Sequence, residues 1–392
     1  MRKIRMFSIL FGMLVFFVSC NKSSAGSFKG KKISVTVEQV AETISTLSQD
    51  SMITVKGRFR SGDLDEILAV LKSHSKSEDD IENIKIFLDF SKTEGLKKIK
   101  DLAFEDCHAL VGIVLPNSVN EIGAYAFYRC KNLSFVSLPD NTISIGIMAF
   151  AECESLENIK ISKNVKEIGD AAFSDCKALT KIDVNSLNPS YKSVDGIVYS
   201  KNGDTLVAFP AGKKINHFKM FESTAKIGTY ACFSCRFSTI EFSNKLIEIE
   251  DFAFGNCTEL TEIIIPDSLK SLGAAFSGCT ALKNVTLPKT IDKIYEYSFT
   301  GCTALSELII PTSVIQIGNF AFSDCDSLSS VEIPDSVKKI GFGVFSDCDM
   351  LMSATIPTHF NVTSEFLEDV FPNCPLKMIW YGGTFHRLDS VF

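Results

Sequence analysis

The chain has 392 residues, 45% of them hydrophobic and 22% charged, which is enough to build a large buried core. Its 47 acidic and 40 basic residues leave a formal charge of -7, which argues against the broad basic face of a general nucleic-acid binder. Length alone suggests two or three domains, a rule that internal repetition overrides.

The first predicted element is the N-terminal stretch "MRKIRMFSILFGMLVFFVSC". Arg2, Lys3 and Arg5 form a positive n-region, and residues 6–18 form an apolar run. A membrane-spanning helix needs about 20 apolar residues, so this shorter run has the layout of an export signal. Its end, "FVSC", resembles the lipobox of bacterial lipoproteins in a relaxed form, with Phe17 where leucine is usual. The resemblance implies a lipoprotein signal peptide over residues 1–19 and diacylglycerol on the Cys20 thiol. Several acyl chains on one residue anchor a soluble body firmly, whereas one chain binds only marginally. An ordinary export signal with a chance cysteine is the alternative. Residues 20–32 then form a tether that includes the flexible "NKSSAGS".

Residues 33–83 predict a small α+β N-terminal cap. "KKISVTVEQVAETISTL" mixes strand and helix patterns, and Leu64, Ile67, Leu68 and Leu71 follow helical spacing. From residue 84 to 357 a single motif recurs, L-x-x-[IV]-x-[ILV]-P-x-S-V-x-x-I-G-x-x-A-F-x-x-C. Good copies start at Leu110, Leu133, Leu156, Leu260, Leu282, Leu305 and Leu328. Such a period predicts a solenoid in which each turn is one supersecondary unit. Alternating apolar residues such as Ile263 and Ile265 make a strand, and proline ends it. The glycine column, Gly123, Gly146, Gly169, Gly228, Gly273, Gly318 and Gly341, is expected to supply a backbone conformation that other residues disfavour. Phe127, Phe150, Phe173, Phe254, Phe276, Phe299, Phe322 and Phe345 predict an aromatic ladder in the core. The rhythm breaks at about residues 185–212, where "VDGIVYSKNGDTLVAFP" predicts a hairpin that projects from or extends one turn. Residues 358–392 predict a C-terminal cap, with Trp380 and Tyr381 as its plug.

This pattern resembles the BspA-like, type-5 leucine-rich repeats of bacterial surface proteins, over roughly residues 84–381. The fold expected is an α/β-type repeat solenoid with a parallel β-sheet and about twelve turns. The resemblance implies adhesion, or binding of host matrix components or other cells.

The cysteines could be disulfide partners, metal ligands, redox centres or small apolar plugs. Cys107, Cys130, Cys153, Cys176, Cys257, Cys279, Cys302, Cys325 and Cys348 share one register, so their side chains point the same way into the core. A disulfide framework belongs to small exported domains without a core, so a ladder of buried thiols is expected. "CFSC", residues 232–235, looks like a C-x-x-C motif. Register instead makes Cys235 a ladder member and puts Cys232 where other repeats have phenylalanine. No further zinc ligands stand nearby, and there is no βαβ setting for a redox role. His74, His108, His217, His359 and His386 fall in unrelated registers, and no P-loop, Rossmann, G-x-S-x-G or H-E-x-x-H motif occurs. No catalytic residue, metal or cofactor is expected.

What remains is the outward face of the sheet, an extended surface of the kind repeat scaffolds use to bind proteins. The contact candidates there are Val114, Phe135, Lys160, Glu241, Ile264, Ile309 and Glu332. The expected protein is a monomeric, non-enzymatic lipoprotein that is lipid-anchored to the outer surface of the bacterial envelope. It would bind protein ligands and no nucleic acid. Two alternatives are a structural, envelope-organising lipoprotein, and a carbohydrate-binding or hydrolytic protein that uses the insert.

Overall fold

The computed structural model describes residues 28–74 and 84–388. The signal peptide over residues 1–19, Cys20 and most of the tether lie outside the described residues. The chain winds as a solenoid of parallel strands with few helices, in about fifteen turns rather than twelve. Much of the difference lies at the N-terminus. Lys31–Thr36 and Ser51–Arg58 pair in parallel with each other and then with Ile86–Glu94, so they extend the sheet itself. The helices Val40–Ser45 and Asp63–His74 follow these two strands. Leu64, Ile67, Leu68 and Leu71 are buried on the second helix, as their spacing predicts.

Each later turn contributes two strands. The longer one carries the leucine–isoleucine alternation, as in Leu110–Val114, Phe135–Ser137 and Asn158–Ile161. A second, two-residue strand forms at the "xI" before each glycine, from Lys98–Ile99 through Glu121–Ile122 and Ser144–Ile145 to Glu167–Ile168. This ladder resumes after the insert at Lys226–Ile227 and continues through Glu248–Ile249. The half of the motif expected only to turn the chain back is therefore a second parallel sheet.

That second sheet explains the glycines, and the explanation differs from the expected one. None of the seven column glycines has positive φ. A Cβ on Gly146 would lie 2.5 Å from the Ala124 amide nitrogen, and one on Gly169 would lie 2.4 Å from that of Ile147. At six of the seven, glycine is needed because adjacent turns approach too closely for any side chain; at Gly228 the nearest atom, the Leu206 carbonyl oxygen, is 3.3 Å from the Cβ position. The left-handed corners fall on other residues, two per turn. Tyr125 (φ 56°), Met148 (φ 50°) and Phe252 (φ 53°) occupy one corner. Asp106, Asp175, Asn256 and Asp324 occupy the other, just before the cysteine, where short polar side chains tolerate this conformation best.

The phenylalanines stack as predicted. Phe104, Phe127, Phe150 and Phe173 form one run, and Phe254, Phe276, Phe299, Phe322, Phe345 and Phe371 form another. Successive ring centroids are 4.9 to 5.8 Å apart, with interplanar angles of 3 to 10°. Between the runs, Phe209, Phe218 and Phe237 pack edge-on or tilted, because Cys232 stands where a ring would continue the stack. Burying one such ring contributes roughly 1.5–3 kcal/mol relative to leaving it exposed.

The insert joins the two runs. It is a three-stranded meander, Tyr191–Val194, Ile197–Ser200 and Thr205–Ala208, and it extends one turn instead of projecting. Asp195 and Gly196 turn the first hairpin with φ of 52° and 80°. Val198 and Tyr199 on the middle strand are buried against different halves of the core. Asn188 is fully buried. Its Nδ2 donates to the Ser162 and Val165 carbonyls, and its Oδ1 accepts from the Ser190 and Tyr191 amides. The Tyr191 hydroxyl accepts the Ile168 amide, which has lost its next rung in the short ladder.

At the C-terminus, Thr363 caps the helix Ser364–Val370 by accepting from the Phe366 amide. Leu367, Val370, Phe371 and Ile379 close the core. Trp380 does not plug it; this side chain is 49% exposed on the sheet face, while Tyr381 is half-buried. Met378–Tyr381 then folds back on Thr384–Arg387 as an antiparallel hairpin.

Candidate binding face

The cysteine register resolves as a structural ladder. All twelve cysteines among the described residues are free, and all but Cys374 are buried. From Cys130 onward each ladder thiol donates to a carbonyl of the preceding turn. Cys130 reaches Phe104 at 2.8 Å, Cys153 reaches Phe127 at 3.2 Å and Cys176 reaches Phe150 at 3.0 Å. Cys257 donates to the Cys232 carbonyl, so Cys232 fills a phenylalanine position, as register predicts. Cys374 extends the ladder by donating to Phe345. Burial pushes the thiols of Cys130, Cys153, Cys176, Cys257, Cys279, Cys302 and Cys325 up, to about 12 for Cys176 and for Cys279. Thiols held protonated in this way make poor nucleophiles and poor metal ligands. Among the described residues no group of three or more His, Cys, Asp or Glu side chains could hold a metal ion.

The sheet face gathers four of the seven contact candidates into one outward column. Strand alternation points the residue after each buried centre away from the core. Register then aligns Glu241, Ile264, Thr286 and Ile309 on one stretch and Glu332, Thr355 and Trp380 on the next, and the repeat motif puts Glu332 at the position equivalent to Ile309. Ile264 is 61% exposed and Ile309 is 79% exposed. Two rungs separate them, roughly 10 Å. Glu241 pairs with Lys219 at 2.8 Å and lies 3.8 Å from His217; the Lys219 contact holds its carboxyl below the usual value. Glu332 makes no ion pair among the described residues, and neither do Glu262 and Glu307 in the adjacent column.

The other three candidates lie on the far side of the insert. Val114 is half-buried and in register with Asp89 and Ser137. Lys160 is exposed and pairs in register with Asp183. Phe135 is only half-buried, and its ring stacks on Phe87 at 5.8 Å. Phe87 covers Gly112, where a Cβ would lie 2.4 Å from the ring, and Phe28 packs near its other side at 6.1 Å. Sequence reasoning missed Phe87 and Trp380 as face residues. Alternation around buried Leu88 and Ile379 is the signal that places both.

The family model for the BspA type leucine rich repeat region matches six copies over residues 80–198, 207–294 and 273–391. A leucine-rich repeat protein from Eubacterium ventriosum has a similar structure, with a TM-score of 0.62 at 22% identity over 84% of this chain and 87% of that one. A leucine rich cell surface protein from Faecalibacterium prausnitzii gives 0.54 at 24% identity, over 88% of this chain and 86% of that one. A search of curated proteins matched none.

Proposed function

The chain belongs to the BspA-type leucine-rich repeat family, and from that premise we propose that it is a non-enzymatic adhesin on the outer surface of the bacterial envelope. Cys20 carries the lipid anchor, and the tether lifts the solenoid from the membrane. The sheet face attaches the cell to protein ligands such as host matrix components or the surfaces of other cells. The observation that carries this reading is the column of exposed Ile264 and Ile309 on an extended, regularly spaced face. Aliphatic side chains at such exposure gain the most from burial against a partner. The thiols, which would be the obvious chemistry in such a chain, are bound up in the core.

Protease treatment of intact cells tests the placement. An adhesin is cleaved on whole cells, whereas a protein cleaved only after the envelope is broken is not one. Adding Ile264→Ser and Ile309→Ser together should lower cell attachment at least tenfold. Unchanged attachment would remove the sheet face from the mechanism.

A further inference from the structure

The short ladder carries a second concave site, away from the sheet face. Among the described residues, two of the four lysines on this ladder are neutralised by the next rung. Lys98 pairs with Glu121 at 2.7 Å, and Lys226 pairs with Glu248 at 3.5 Å and Glu250 at 2.5 Å. Near the C-terminal cap this pattern fails. Lys293 is in register with Gln316, and Gln316 is in register with Lys339. Lys293, Lys338 and Lys339 make no ion pair among the described residues. The Lys293 ammonium lies over the Tyr295 ring at 4.0 Å, and Lys338 donates only to the Asp335 carbonyl.

Lys293, Lys338 and Lys339 line a cleft of about 680 Å³, within the size of small-ligand sites. Its floor includes Gly318 and Gly341, where no side chain fits. A Cβ on Gly318 would lie 2.4 Å from the Glu296 amide nitrogen. Phe360 and Phe366, 5.5 Å apart, form an aromatic wall from the C-terminal cap. Glu296 is the one carboxylate on the lining. In a chain of net charge -7, three unpaired cations beside two aromatic rings mark a place built for a compact anion with an apolar side.

We propose that this cleft binds an acidic sugar. The lysines take its carboxylate or sulfate, and Phe360 and Phe366 take the C–H face of the ring. Lys339–Ile340 is the last strand of its three-stranded sheet, so an acidic peptide added along that edge is the competing occupant, and a pentaglutamate probe tests it.

Calorimetry on the full mature chain at low salt tests this with four probes: a trigalacturonate, a sulfated disaccharide, pentaglutamate and inorganic sulfate. At least one acidic sugar should bind, more weakly as salt rises, and the first two probes distinguish carboxylate from sulfate recognition. A Lys338→Ala/Lys339→Ala variant should bind it at least tenfold more weakly while its Trp380 fluorescence melt stays unchanged. Three results would overturn the proposal: no binding of either sugar at millimolar concentration, wild-type affinity in the double variant, or pentaglutamate or sulfate binding as tightly as the sugars.

Discussion

The turns before and after the insert share an interior and differ outside. Within, both runs stack their phenylalanines and hang cysteine thiols on carbonyls of the turn before. Outside, the first run covers part of its sheet face with its own rings, Phe87 on Gly112 and Phe135 on Phe87. The second run leaves Ile264, Ile309 and Trp380 open. The interior is fixed by the pitch, because each side chain must fit the copy of itself one rung away. The outer face meets no such neighbour above it and is free to specialise.

The largest expected effect probes the separation between the runs. Phe150→Ala and Phe276→Ala should each cost about 3–5 kcal/mol, since both empty a fully buried site in a stack. Trp380, the only tryptophan, reports on the second run. In denaturant unfolding, Phe276→Ala should shift the Trp380 transition, whereas Phe150→Ala should shift far-UV circular dichroism ahead of it. Equal shifts of the Trp380 signal would mean that the runs unfold as one body.

Asn188→Ala comes next, at about 1–3 kcal/mol, because it leaves buried carbonyls and amides at the joint without partners. It should widen the gap between the two transitions. A single sharpened transition would show that the insert does not couple the runs.

Alkaline pH should act on both runs alike. The folded thiols of Cys176 and Cys279 are raised from an ordinary value of 9.0 to about 12. Their contribution to stability is therefore complete below pH 9 and is lost as pH rises from 9 toward 12. Native-state thiol labelling at pH 8 should be slow at both and should accelerate together above pH 11. Fast labelling of one alone would show an open rung in that run.

The smallest effect contrasts the two faces. Ile309→Ser should change stability by no more than about 0.5 kcal/mol, while Phe87→Ser, at a ring only 3% exposed, should cost several times more. Thermal melts of the two variants compare them directly.

Much of this fold is legible in the sequence because repetition reports directly on contact. A residue that recurs every 22 or 23 positions must meet its own copies, which places Phe276 and Cys279 in ladders without any structure. What repetition does not report is why a residue is required. The column glycines read as conformational, yet Gly146 answers to the backbone of Ala124, a neighbour one turn away. The short ladder was hidden because two-residue strands carry no alternation to read. The first strand of the insert, Tyr191–Val194, was hidden because the hydrogen bonds of Tyr191 and Asn188 to the turn beneath carry no periodicity. On the sheet face, Ile264 and Ile309 were readable from alternation, whereas Trp380 was misassigned because a large ring near a terminus suggests a plug.

A parallel stack has no natural last member, since every rung offers the next one the same row of amides and carbonyls. Left open, such a body is a seed for end-to-end polymerisation. The hairpin at the C-terminus removes that option. Thr384–Arg387 runs against the parallel rungs of its own sheet, so an incoming copy meets a strand of the wrong polarity. At the opposite end the first strand opens with exposed Lys31 and Lys32, which repel a like-charged edge. Two short segments thus act as chain terminators and hold an architecture prone to forming filaments at a finite length.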